Sequence, residues 1–129
     1  MQLTKFSCLQ LDLINVYRSQ NGNSVELLNH IVKMTNEDKP TLITGDFNIC
    51  YMTHKNNRMS KGLEKNLFTQ QVQEATHIQG GHIDHAYWKD KTGVWNKPMI
   101  ERYSPYYSDH DAICITLTKP SEDKRRYGA

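Results

Sequence analysis

A chain of 129 residues is long enough for one domain that buries about two-thirds of its unfolded surface, and too short for two of ordinary size. A formal net charge of +2 and a pI near 8.4 tolerate a polyanionic ligand but are too mild to argue for one, because nucleic-acid binders usually carry a strong basic patch. No window approaches the ~18 apolar residues of a membrane span, and Met1 to Cys8 lacks the apolar stretch of a signal peptide. A soluble, intracellular protein is expected, with the nucleus among its locations.

In chain order, Leu9 to Tyr17 is rich in Leu, Ile and Val and predicts a buried strand. Ser19 to Asn23 is turn chemistry, and Asn23 with Glu26 three residues on opens a helix in the manner of a capping box. Val25, Leu28 and Val32, flanked by Leu27 and Ile31, carry that helix to about Asn36, ahead of a turn at Glu37 to Pro40. Thr41 to Gly45 predicts a short buried strand with Asp46 to Asn48 at its end. Thr53 to Lys61 reads as a basic loop, and His54 to Arg58 within it could steer a polyanion or be an ordinary charged loop.

A second helix is expected from Leu63 to about Ala75, with Leu67, Phe68 and Val72 on its apolar side. Gly80-Gly81 breaks the chain before a strand at His82 to Trp88. A turn at Lys89 to Val94 precedes a strand at Trp95 to Tyr103, and Ile113 to Leu117 closes the sheet. The residues from 120 to 129, with Lys124-Arg125-Arg126, are expected to be a disordered basic tail. Strand, helix, strand, helix and then three strands make an α/β domain with a mixed sheet over residues 1–119. Cys8, Cys50 and Cys114 form no C-x-x-C pair, and each lies beside an apolar run. Three buried free thiols in a reducing compartment follow.

Three strings place polar groups at the ends of these apolar runs: Gly45-Asp46-Phe47-Asn48, Ile83-Asp84-His85 and Ser108-Asp109-His110-Asp111. Gly45 permits an unusual backbone angle just before the first of them. Acids, an amide and an imidazole gathered at strand ends are what metal-assisted phosphodiester cleavage requires. Carboxylates hold a hard cation, an amide orients a phosphate oxygen, and an imidazole manages protons or developing charge. Singly, each string reads more simply as a turn or strand cap, and Asp111 as structural or solvated. His77, His82 and His85 lack the spacing of a zinc site, and His85 must point away from Asp84 across the strand.

In order and strand context, the three strings resemble those of the endonuclease/exonuclease/phosphatase superfamily, the deoxyribonuclease I-like fold. The likeness runs from about Leu11 to Leu117. Leu13 to Ser19 and Gly80 to His85 are most similar to endonuclease domains of mobile elements, retrotransposon and helicase-associated ones among them. The resemblance implies the C-terminal half of a four-layered α/β sandwich, with one mixed sheet and two helices on one face. It also implies an Mg²⁺- or Mn²⁺-dependent hydrolase acting on nucleic acid, DNA ahead of RNA, while the sequence leaves a phosphoinositide or another phosphoester open as substrate.

By the same resemblance, Asp46 and Asp109 would be metal ligands, with Asp46 also activating water. Asn48 and Arg18 would hold the substrate phosphate, and Tyr17 would stand near it. His110, oriented by Asp84, would stabilise the transition state or move protons. Domains of this family are about twice as long, and the half carrying a further metal-binding Glu has no counterpart upstream of Leu11. A homodimer, or a partner supplying that half, is therefore expected. The alternative reading is a catalytically inactive remnant serving as an interaction module.

Overall fold

A computed structural model describes residues 2–8, 10–19, 23–36, 38–48, 58–72, 84–103 and 112–120. Within these residues, seven strands and two helices follow one another as β1 (Gln2–Ser7), β2 (Asp12–Tyr17), α1 (Ser24–Met34), β3 (Thr41–Asp46), α2 (Arg58–Lys65), β4 (Thr69–Gln70), β5 (Asp84–Lys89), β6 (Met99–Tyr103) and β7 (Ala112–Thr116). Five strands form one mixed sheet in the order β1-β2-β3-β5-β4, and β6 pairs with β7 in a second, two-stranded sheet. Within the larger sheet, β2 and β3 run parallel while β1, β5 and β4 run antiparallel to their neighbours.

Strand register sorts the side chains onto two faces. Ile14, Ile43 and Tyr87 share one row, and with Val16 they pack beneath Leu27 and Ile31 of α1 and Met59 and Leu63 of α2. Side chains alternate along a strand, so Leu13, Leu42 and Trp88 fall on the other face. There Leu42, Ala86 and Trp88 meet Ile100, Ile113 and Ile115 of the small sheet. The β6–β7 pair therefore lies over the face opposite the helices. It does not extend the first sheet as the strand pattern predicted. Both strands are only five residues long and largely exposed, and so short a run of residues does not say which sheet a strand joins.

The first helix begins as its residues predict. The Asn23 side chain accepts the amides of Val25 and Glu26 at 3.0 and 3.1 Å, leaving two fewer unsatisfied donors in the first turn. The second helix spans Arg58–Lys65 and not Leu63 to Ala75. Its end is a Schellman motif: Leu67 donates to the Glu64 carbonyl, Phe68 donates to the Leu63 carbonyl, and Leu67 takes a left-handed φ of 70°. A leucine thus fills a position that usually goes to glycine, and it is exposed, while Phe68 turns back into the core. Residues 73–75 of the expected helix lie outside the described residues, as do residues 53–57 of the expected basic loop and the tail from 121.

The N-terminal strand β1 had no counterpart in the sequence reading. It is an edge strand, mostly exposed, held by backbone pairing to β2 more than by an apolar stripe. The thiol expectation also changes. Cys8 and Cys114 are exposed, because Cys8 follows the edge strand and Cys114 pairs with Glu101 on the outward side of β7. Cys50 lies outside the described residues.

Asp12, buried at the start of β2, carries the main charged contact of the large sheet. Burial by itself would raise its pKa. Hydrogen bonds from Lys39 and Ser7 and the charges of Lys5 and Lys39 outweigh that, holding the carboxyl below the usual carboxylate range. Lys39 Nζ lies 2.8 Å from it and Lys5 Nζ 3.6 Å. A carboxylate whose pKa is lower folded than unfolded adds stability that is complete above its unfolded value, about 3.9, and is lost as pH falls through the folded value. Asp12→Asn should therefore cost about 2 kcal/mol at pH 7 and distinctly less near pH 3, as read by urea denaturation at the two pH values.

Candidate active site

Tyr17 ends β2, Asp46 ends β3 and Asp84 begins β5. The register pairs Tyr17 with Asp46 and Asp46 with Asp84, so the three form one row across the same end of the sheet. Each lies four residues along its strand from Leu13, Leu42 or Trp88, and an even step keeps a side chain on the same face. The row therefore belongs to the face that carries the small sheet, away from the helices. Tyr17 is about half exposed, so it is no core aromatic, and both acids are partly buried.

Directly opposed residues of an antiparallel pair have Cβ atoms about 5 Å apart, and like charges there repel. Asp46 and Asp84 stand in that relation. Two carboxylates held together by backbone pairing attract a cation.

The chain beyond Asp46 is held by a reciprocal set of bonds with β2. Arg18 N–H donates to the Asp46 carbonyl at 2.9 Å, and the Asn48 side-chain amide donates to the Arg18 carbonyl. Arg18 Nη1 donates to the Phe47 carbonyl at 3.2 Å and lies 3.5 Å from that of Asn48. Asn48 N–H donates to Asp46 Oδ1 at 2.9 Å, and Asn48 adopts a left-handed φ of 51°, which asparagine tolerates better than most residues. Asp46 and Asn48, read from the sequence as a pair, are thus joined directly. Arg18, read as a phosphate ligand, also clamps the turn that carries them.

Asp109 and His110 lie outside the described residues, as do Asp111, His77 and His82. His85 is described. It points to the helix face, as alternation after Asp84 requires, and is 1% exposed. The sequence reading gave Phe47, Tyr87 and Ser60 no role, yet Phe47 and Tyr87 flank His85 beneath the site and Ser60 bonds to Tyr87. A period-2 reading could have put Phe47 on the face of Gly45, but nothing local signals a contact between Ser60 and Tyr87.

The oxygen donors of Asp46 and Asp84 suit a hard divalent cation in kind. They fall short in number: among the described residues no group of three or more His, Cys, Asp or Glu side chains is placed to hold a metal ion. No helix among them is long and apolar enough to cross a membrane.

A mixed sheet with two helices on one face, a smaller sheet on the other and acids at one strand end defines a deoxyribonuclease I-like α/β fold. The sequence pattern of the Endonuclease/Exonuclease/phosphatase family matches residues 12–110, and the chain belongs to that family. Curated protein sequences yield no match. Among solved structures, an endonuclease/exonuclease/phosphatase from Beutenbergia cavernae superposes with a TM-score of 0.62 at 16% identity, covering 91% of this chain and 38% of that one. The cytolethal distending toxin of Actinobacillus actinomycetemcomitans gives 0.61 at 14% identity, covering 91% and 52%. A beta toxin from Staphylococcus aureus gives 0.50 at 16%, covering 88% and 55%. The chain thus spans about half or less of the length of these relatives. At such identities the likeness concerns the fold alone.

Proposed function

We propose that this chain carries one half of a metal-assisted phosphodiesterase site that hydrolyses nucleic acid, DNA in preference to RNA. The observation that carries the reading is the row Tyr17, Asp46 and Asp84 across one end of a family-type sheet. Asp46 and Asp109 would hold Mg²⁺ or Mn²⁺, which when bound supplies a Lewis acid for the phosphoryl oxygen. Asp46 also draws a proton from the attacking water. Asn48, whose amide has a second N–H beside the one given to Arg18, orients a phosphate oxygen, and Tyr17 and Arg18 border the same space. Asp84 fixes the tautomer of His110, which meets the charge developing on the phosphorane or returns a proton to the leaving oxygen.

The direction of the small sheet supports this assembly. Lys119 bonds to Gln10, and Asn96 to Thr118, so one end of the β6–β7 pair sits by the Asp12 and Pro40 end of the large sheet. Tyr103 and Ala112, which flank the segment holding Asp109 and His110, are paired at its other end. The β6–β7 pair packs on the face that carries Asp46 and Asp84, so that end lies on their side of the sheet.

A second reading is a non-catalytic module that keeps the residues but binds a partner. Met99 and Tyr103, exposed on the β6–β7 pair, suit a second copy of this chain, or a partner supplying the remaining half of the fold. Plasmid nicking with Mg²⁺ or Mn²⁺ decides between the readings. Weak cleavage that falls at least about 100-fold in both Asp46→Asn and His110→Ala supports the phosphodiesterase. Cleavage unchanged by either variant overturns it, and absence of any cleavage by a folded chain leaves the module.

A further inference from the structure

Phe47 stands between Asp46 and Asn48 in the chain but faces the other way. Its ring is fully buried on the helix side of the sheet. Gly45, two residues earlier, is the register partner of His85. The Phe47 ring is stacked on His85 with centroids 4.9 Å apart and planes 15° from parallel, and it meets Tyr87 edge-on at 5.5 Å. His85 Nδ1 is 3.0 Å from the Tyr87 hydroxyl, which is 2.8 Å from Ser60 Oγ on α2. Ser60 and Tyr87 are both fully buried. A phenol has one proton and two lone pairs, enough to serve both neighbours.

A buried serine, phenol and imidazole cost more to desolvate than apolar groups of the same size, and hydrogen bonding only offsets that cost. What such a chain adds is direction. The hydrogen bond to Tyr87 fixes the plane of the imidazole, and that plane fixes the ring stacked on it. We propose that Ser60, Tyr87 and His85 form a positioning device for Asp46 and Asn48, acting through Phe47. The device ties α2 to the strand end on the opposite face of the sheet, and holds the turn in which Asn48 takes its left-handed backbone. None of the three touches substrate. The inference rests on Asp46 and Asn48 being site residues, as proposed above.

Tyr87→Phe keeps the ring and its packing but deletes the hydroxyl. It should leave the fold intact by circular dichroism while shifting the backbone amide resonances of Asp46, Phe47 and Asn48. Asp46-dependent cleavage should fall about tenfold in kcat with KM little changed, because small misplacements at a reacting centre are costly. Ser60→Ala should move the same resonances less, and it carries the test if Tyr87→Phe does not fold. Ile31→Val, in the same apolar cluster but outside the hydrogen-bonded set, should lower stability and leave those amides in place. Amides of 46–48 that superpose on the wild type in folded Tyr87→Phe overturn the device, as does cleavage unchanged despite shifted amides. Shifted amides in a chain showing no Asp46-dependent cleavage retain the device and remove the phosphodiesterase reading.

Discussion

Gly45→Ala should destabilise the chain by at least about 4 kcal/mol, lowering its melting temperature by roughly 15 °C or leaving it unfolded. Two independent obstacles act at this residue. Its φ of +148° is one that an L side chain rarely adopts. A Cβ there would also stand 1.9 Å from the Val16 carbonyl oxygen and under 3 Å from two further backbone atoms of β2. Backbone cannot swing aside as a side-chain tip can, so β2 and β3 would have to separate. Val16 lies in the apolar core, and its neighbour Tyr17 pairs with Asp46, so the separation would reach the core and the site together. Thermal denaturation followed by circular dichroism is the measurement. A loss below about 1 kcal/mol would show that the close pairing of β2 with β3 is not required.

Phe47→Ala should cost about 3–5 kcal/mol, the range for truncating a fully buried phenylalanine. The ring is fully buried and contacts both His85 and Tyr87, so its removal leaves a cavity lined partly by polar groups. Phe47→Leu fills more of that space but offers no flat face to the imidazole, and should cost about half as much. Urea denaturation of the two variants would read both numbers. Equal losses in the two would mean that volume alone matters and that the stack on His85 adds nothing.

Much of the large sheet was legible in the residues. Ile14 and Val16, and Leu42 and Ile43, are apolar runs bounded by turn chemistry, and Asn23 with Glu26 announces a helix start wherever it occurs. The second helix was misplaced because its stop signal is a leucine in a left-handed conformation. Sequence heuristics seek glycine or asparagine there. The edge strand β1 escaped notice because an exposed strand needs only a backbone partner, and backbone pairing has no side-chain signature. Exposed Cys8 and Cys114 show the converse error, since apolar neighbours in sequence do not put a residue on the buried side of a strand.

By itself the sequence determined the start of the first helix, the apolar strands of the large sheet and the family, and it singled out Tyr17, Asp46, Asn48 and Asp84 as candidates, because caps, turns and short motifs are interactions between near neighbours. Only the tertiary structure decided that Tyr17, Asp46 and Asp84 share a row, that the β6–β7 pair covers the sheet in place of extending it, and that His85 stacks on Phe47. Each of these depends on strand register or on packing between residues far apart in the chain. A slip of one residue in pairing would send every side chain of a strand to the other face. Register is settled by the whole core at once: Ile14, Ile43 and Tyr87 must meet the helices on one side while Leu13, Leu42 and Trp88 meet the small sheet on the other.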